Sequence, residues 1–247
     1  MLSPLTRTIA LLLIISSSNA FADEYYPTAD DVIAHFYQKG DKENYPWHKK
    51  TKGEDDAEAL DYSICYNKLV SPQPPQHLIV MCSDPSQREY DNAPLPTDYY
   101  ILGKVAQGFS LLATEQDSGN QFQDVITIGH GKWAIHDSAS AMNQGYGQTH
   151  DTLSIVTNGE FIPVAQWTSW LDNTGAFDPD EKGSEGQAES MENALSVDDG
   201  QKDADFYPLL IHSTGFNGSK KFDKKYTIKF SVDAGKYVVP DELNGGY

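Results

Sequence analysis

Positive charge is scarce in this sequence. Eighteen lysines and arginines stand against 36 aspartates and glutamates, for a formal net charge of −18. A chain this acidic does not bind nucleic acid or anionic lipid through bulk electrostatics; a cation or a basic partner is favoured. Apolar runs are scarce too. The longest, at 9–15, falls far short of the roughly 20 residues a membrane-spanning helix needs. Cysteine is limited to Cys65 and Cys82, too few for a disulfide-built scaffold. Two catalytic signatures are missing: no Gly-x-Ser-x-Gly elbow and no His-Glu-x-x-His metal motif occurs.

Arg7, the apolar run and Ala20-Phe21-Ala22 form the three parts of a secretory signal peptide. They predict cleavage after Ala22 and a mature chain of 17 basic and 36 acidic residues, a charge of −19. No cysteine follows the apolar run closely enough for lipidation. The expected product is periplasmic or secreted, with no membrane anchor after cleavage. Cys65 and Cys82 lie symmetrically about the turn at 71–76, on two strand-like runs. In an oxidising compartment this predicts a disulfide, worth roughly 3 kcal/mol in the chain-entropy model.

The clearest structural statement is at 152–167, where two apolar-rich runs flank Asn158-Gly159. Both turn residues accept positive φ, so a two-residue hairpin is expected. Its register sets Ile155 against Ile162 and Leu153 against Val164 on one face, and Val156 against Phe161 on the other. Pro163 faces Ser154, and lacking an N–H it predicts an edge or bulge on its other side. Further strand-like runs occur at 63–70, 77–82, 99–105, 109–114, 122–128, 133–136, 206–212 and 226–232. Thr28 can cap a short helix whose stripe is Ala29, Val32, Ile33 and Phe36, with Gly40 as its stop. A second short helix is expected at 55–60. The fold class is mainly β: an antiparallel meander forming a sandwich, open barrel or propeller-like sheet system, with one short N-terminal helix.

The mature chain suits a single β-rich domain. Within it, 171–205 holds eleven acidic and two basic residues and few large apolar ones. Such a segment buries too little to offset ordering entropy, and a flexible acidic insert is expected. Asp178, Asp180, Gly183 and Glu189 match positions 1, 3, 6 and 12 of an EF-hand calcium loop. Lys182 and Glu185 break that pattern, and no paired helices flank it, so the sequence predicts a solvated loop and no metal or cofactor. Lys220, Lys221, Lys224 and Lys225 form a basic cluster just before the alternating run Tyr226, Ile228, Phe230, Val232.

His136, Asp137 and Ser138 are consecutive, so on a strand they alternate sides and cannot form a relay. His130, His136, His150 and His212 become metal ligands only if distant strands bring them together. The polar loop at 141–151 sets Tyr146 between two glycines, with Asn143, Gln144 and His150 beside it. Those four are the candidate binding residues, because an aromatic freed by glycines offers large contact area at low entropy cost. The sequence therefore predicts an exported binding protein with a protein or glycan partner in the cell envelope. An immunity or inhibitor role toward an envelope-active toxin or enzyme is one concrete form. The alternative class is an envelope hydrolase with a histidine and carboxylate site assembled from distant strands.

Overall fold

The computed structural model describes residues 25–50, 60–89, 93–177 and 187–246. The leader, most of the helix expected at 55–60, and Asp178, Asp180 and Gly183 of the calcium-loop match lie outside these residues. Along the chain, β1 (Tyr25–Tyr26) and α1 (Ala29–Phe36) precede β2 (Tyr37–Lys39), β3 (Trp47–Lys49), β4 (Asp61–Pro72), β5 (Pro75–Ser83), β6 (Thr97–Val105) and β7 (Gly108–Ser118). These strands form one antiparallel sheet in the order β1-β7-β6-β5-β4-β3-β2. The second sheet is an uninterrupted meander of β8 (Gln121–Gly129), β9 (Lys132–Asn143), β10 (Tyr146–Thr157), β11 (Glu160–Asp172), β12 (Glu189–Val197), β13 (Leu209–Asn217) and β14 (Lys220–Ile228). A small ribbon, β15 (Phe230–Ser231) with β16 (Lys236–Tyr237), follows. Neither large sheet closes into a barrel.

Three apolar layers hold these parts together. α1 lays Val32 and Ile33 on the outer face of the first sheet, against Ile79, Met81, Tyr100 and Leu102. Thr28 caps it through a reciprocal pair with Asp31. Between the sheets, Leu78, Val80, Tyr99 and Ile101 meet Ile135, Val156 and Phe161. Strands β5 and β6 are thus buried on both faces, which is why they read as continuous apolar runs. The third layer sits beyond the second sheet, where Leu153, Val164, Trp167, Leu209 and Ile211 are covered by Tyr237 and Leu243 of the C-terminal segment.

The central hairpin forms around Asn158 and Gly159, both at positive φ, with Ile155 opposite Ile162 and Val156 opposite Phe161. A bulge between Leu153 and Ser154 then sets Leu153 opposite Ala165 rather than Val164. Pro163 sits at that bulge opposite Ser154, and β12 pairs with β11 only at Trp170–Asp172, so among the described residues the outer side of Pro163 carries no ladder. Cys65 and Cys82 are bonded, with Cα atoms 5.8 Å apart. They are not direct register partners, because Cys65 occupies a bulge between Ile64 and Tyr66 and Cys82 faces Ser63.

Four expectations are corrected. α1 ends at Phe36 rather than Gly40, since Tyr37 already enters β2 and donates its N–H to Ile33. The stretch 171–205 is not an insert throughout: Leu171 and Asp172 end β11, and Glu189–Val197 is an interior strand. Its inward face is Met191, Asn193, Leu195 and Val197, a period-two pattern obscured by one polar member and acidic neighbours. The lysine cluster lies within β14 and not before it. The alternation read through Val232 stops short, as Val232 is 84% exposed.

Candidate functional site

β9 alternates as the sequence requires. Ala134 joins the third layer, while Trp133 and Ile135 join the inter-sheet layer. His136 stacks on Trp167 with ring centroids 5.7 Å apart. Its Nδ1 lies 3.1 Å from Asp124 and its Nε2 2.8 Å from Asp151. Burial alone would lower its pKa, but the Asp151 hydrogen bond and the charges of both carboxylates outweigh that and raise it. Asp151 is fixed in turn by the Ser169 hydroxyl, 2.6 Å away. Each ring nitrogen is thus engaged by a carboxylate. Asp137 lies across the strand, where the Tyr99 hydroxyl donates to it at 2.5 Å. Burial pushes the Asp137 carboxyl up to about 6. The Ser138 hydroxyl accepts from Gln123 at 2.7 Å. The three consecutive residues therefore serve three separate contacts.

The other histidines are dispersed. His130 approaches the Lys202 carbonyl at 3.3 Å, and His212 pairs with Asp223 at 2.8 Å. Among the described residues no group of three or more His, Cys, Asp or Glu is arranged to hold a metal ion. Glu189 of the calcium-loop match begins β12, and its carboxylate accepts from Asn217 at 3.1 Å.

The stretch read as a polar loop is instead the end of the β9–β10 hairpin. Gln144 and Gly145 both have positive φ, and Asn143 pairs with Tyr146 across them. The tip is backed by a helical turn at Thr174–Ala176. A side chain at Gly145 would collide with the backbone of Gly175 and Ala176, and one at Gly147 would lie 2.6 Å from the Trp170 ring. Tyr146 is half-buried, edge-on to Phe177 at 6.3 Å. Met142, at 56% exposure, Asn143 and Gln144 are the side chains on the surface. His150 lies farther along β10. Thr168 donates its single hydroxyl proton to the Gly245 carbonyl, so at the 3.2 Å contact His150 Nδ1 is the donor. His150 thereby helps tie down the C-terminal segment.

Register links this tip to the far edge of the sheet. Met142 pairs with Gly147, Gly147 with Asp172, Asp172 with Ser190, Ser190 with Phe216, and Phe216 with Lys221. The turns at 144–145 and 218–219 and the connection from β11 to β12 thus share one end of the second sheet. A cleft of about 320 Å³ opens there, floored by Met191, Phe222 and Tyr226 and walled by Gly245 and Gly246. Lys224, Ser213, Asn217, Glu189 and Glu242 supply polar groups. Sequence reading missed this cleft, because its residues come from β12, taken for a loop, and from β14, whose lysines mask the alternation Phe222, Tyr226. Comparison with protein-family models, curated proteins and solved structures finds no match to this chain.

Proposed function

We propose that this is an exported binding protein that engages a protein or glycan partner of the cell envelope at the turn-bearing end of its second sheet. The observation that carries the reading is the tip at 142–144, whose exposed side chains stand on a backbone braced by Gly145 against Gly175 and Ala176. A braced tip loses little conformational entropy on binding. The adjoining cleft adds apolar area with a few polar groups, the composition of a recognition site. The hydrolase alternative has less support, since His136 has both nitrogens committed to carboxylates. Export is supported by the leader pattern and agrees with the Cys65–Cys82 bond.

A photo-cross-linking residue at Gln144 tests the site in envelope extract, with Thr157 at the opposite end of β10 as control. A discrete adduct at Gln144 and none at Thr157 is expected. Identical adducts at both positions, or none at Gln144, would refute it. N-terminal sequencing of the extracellular product tests export; a chain that retains Met1 inside the cell would overturn that part.

A further inference from the structure

We infer that β14 accepts an added, antiparallel strand from a partner peptide in which apolar and acidic residues alternate. This builds on the binding reading above and specifies its ligand. β14 ends the second sheet and pairs only with β13 among the described strands. Its register is uninterrupted from the two-residue turn, starting with Asn217 opposite Lys220. A two-residue turn is closed by a hydrogen-bonded pair, and such pairs alternate along an antiparallel ladder. The N–H and C=O groups of Lys221, Asp223 and Lys225 therefore point away from β13, towards the open edge.

The two faces of the edge differ in chemistry. Phe222 and Tyr226 point into the cleft beside Met191, with Lys224 between them on the same face and Glu189 and Glu242 at the cleft's margin. On the opposite face are Lys221, Asp223 and Lys225, all exposed. Asp223 lies within hydrogen-bond distance of His212 at 2.8 Å, and the two lysines outnumber its single negative charge on that face. An added strand would place alternate side chains in the cleft and the intervening ones beside the lysines. Strand addition works in this way: main-chain bonds supply affinity, and pockets for alternate side chains supply specificity. A second copy of this chain does not suit the edge, because antiparallel pairing of β14 with itself brings lysines against lysines. The same repulsion selects a partner of opposite charge.

The test uses the mature full-length chain and fluorescent peptides matching the nine residues of β14, read by anisotropy. The probe alternates Glu with Leu. A second peptide alternates Lys with Leu. Two more carry N-methyl groups, either on the Glu amides, which face β14 in this register, or on the Leu amides, which face away. Saturable binding of the Glu–Leu peptide is expected, lost on methylating the Glu amides and kept on methylating the Leu amides. Lys221→Glu with Lys225→Glu should weaken it about tenfold and favour the Lys–Leu peptide. Circular dichroism of the double variant confirms that the sheet is intact. Absent saturation, equal binding of both methylated peptides, or indifference to the charge reversal would each overturn the proposal. Peptide binding without a cross-link at Gln144 would refute only the hairpin-tip reading; a cross-link without peptide binding would refute only strand addition.

Discussion

Replacing Asp137 by Asn should stabilise the protein at neutral pH relative to acid. Asp137 is buried on β9, 6% exposed, and accepts a hydrogen bond from the Tyr99 hydroxyl. Burial raises its pKa most; the Tyr99 bond offsets part of that, and Glu115 adds to the rise. Between its ordinary value of 3.8 and about 6 the native state holds a proton that the unfolded state releases. Stability therefore falls as pH rises through that window, by at most about 3 kcal/mol. Asn keeps an acceptor for Tyr99 and carries no charge, so it removes the slope. Urea unfolding of both proteins from pH 4 to pH 8 gives a difference curve in which other titrations largely cancel. The variant should gain on the wild type as pH rises to about 6 and hold that gain above it. A flat difference, or a variant that loses ground with rising pH, would show that the Asp137 carboxylate is stabilised and not penalised by its surroundings.

Leu153→Ala removes a fully buried side chain from the layer under the C-terminal segment and should cost 2–5 kcal/mol by the same unfolding assay, in the manner of about that range for core truncations. His136 contributes stability that is present below its unfolded pKa and lost as pH rises through its raised folded value; His136→Gln should therefore flatten the fall in thermal midpoint as pH rises above 6.5. Tyr237→Phe removes the donor to the Tyr207 carbonyl at 2.9 Å and should cost about 1–2 kcal/mol. Alkylation of unreduced protein followed by intact mass should show no modified cysteine, consistent with the Cys65–Cys82 bond.

The sheets were readable in the sequence because their strands are punctuated by turns with strong chemistry. Asn158-Gly159 announces its hairpin, and the unbroken apolar run of β5 announces a strand buried on both faces. β12 was not readable, because its inward row includes Asn193, whose side-chain amide donates to the Thr168 carbonyl of the neighbouring strand at 2.7 Å. A polar residue that finds a long-range partner cannot be told from a solvated one in a single sequence. The site was less legible still. Tyr146 looked separable from the core, yet its contact with Phe177 comes from a segment some thirty residues away. His150 looked like a ligand-facing group, and its partner Thr168 joins it to the tail.

The same residues explain why the open end of the second sheet exists. Proline at 163 and the adjacent bulge stop β12 from following β11 along its length, so the two strands share only the pairs at Trp170–Asp172. Below that seam the sheet splays, and the C-terminal segment fills the wedge, with Tyr237 bonded to the Tyr207 and Ile128 carbonyls and Leu243 buried in the core. Above the seam Gly245 and Gly246 line the cleft without contributing side chains to it. The three strands β12–β14 are thus joined to the rest of the sheet by a short seam between β11 and β12, and β14 has no further strand partner among the described residues. A strand added to β14 would extend the ladder from its unpaired side, at the place where the sheet carries least support of its own.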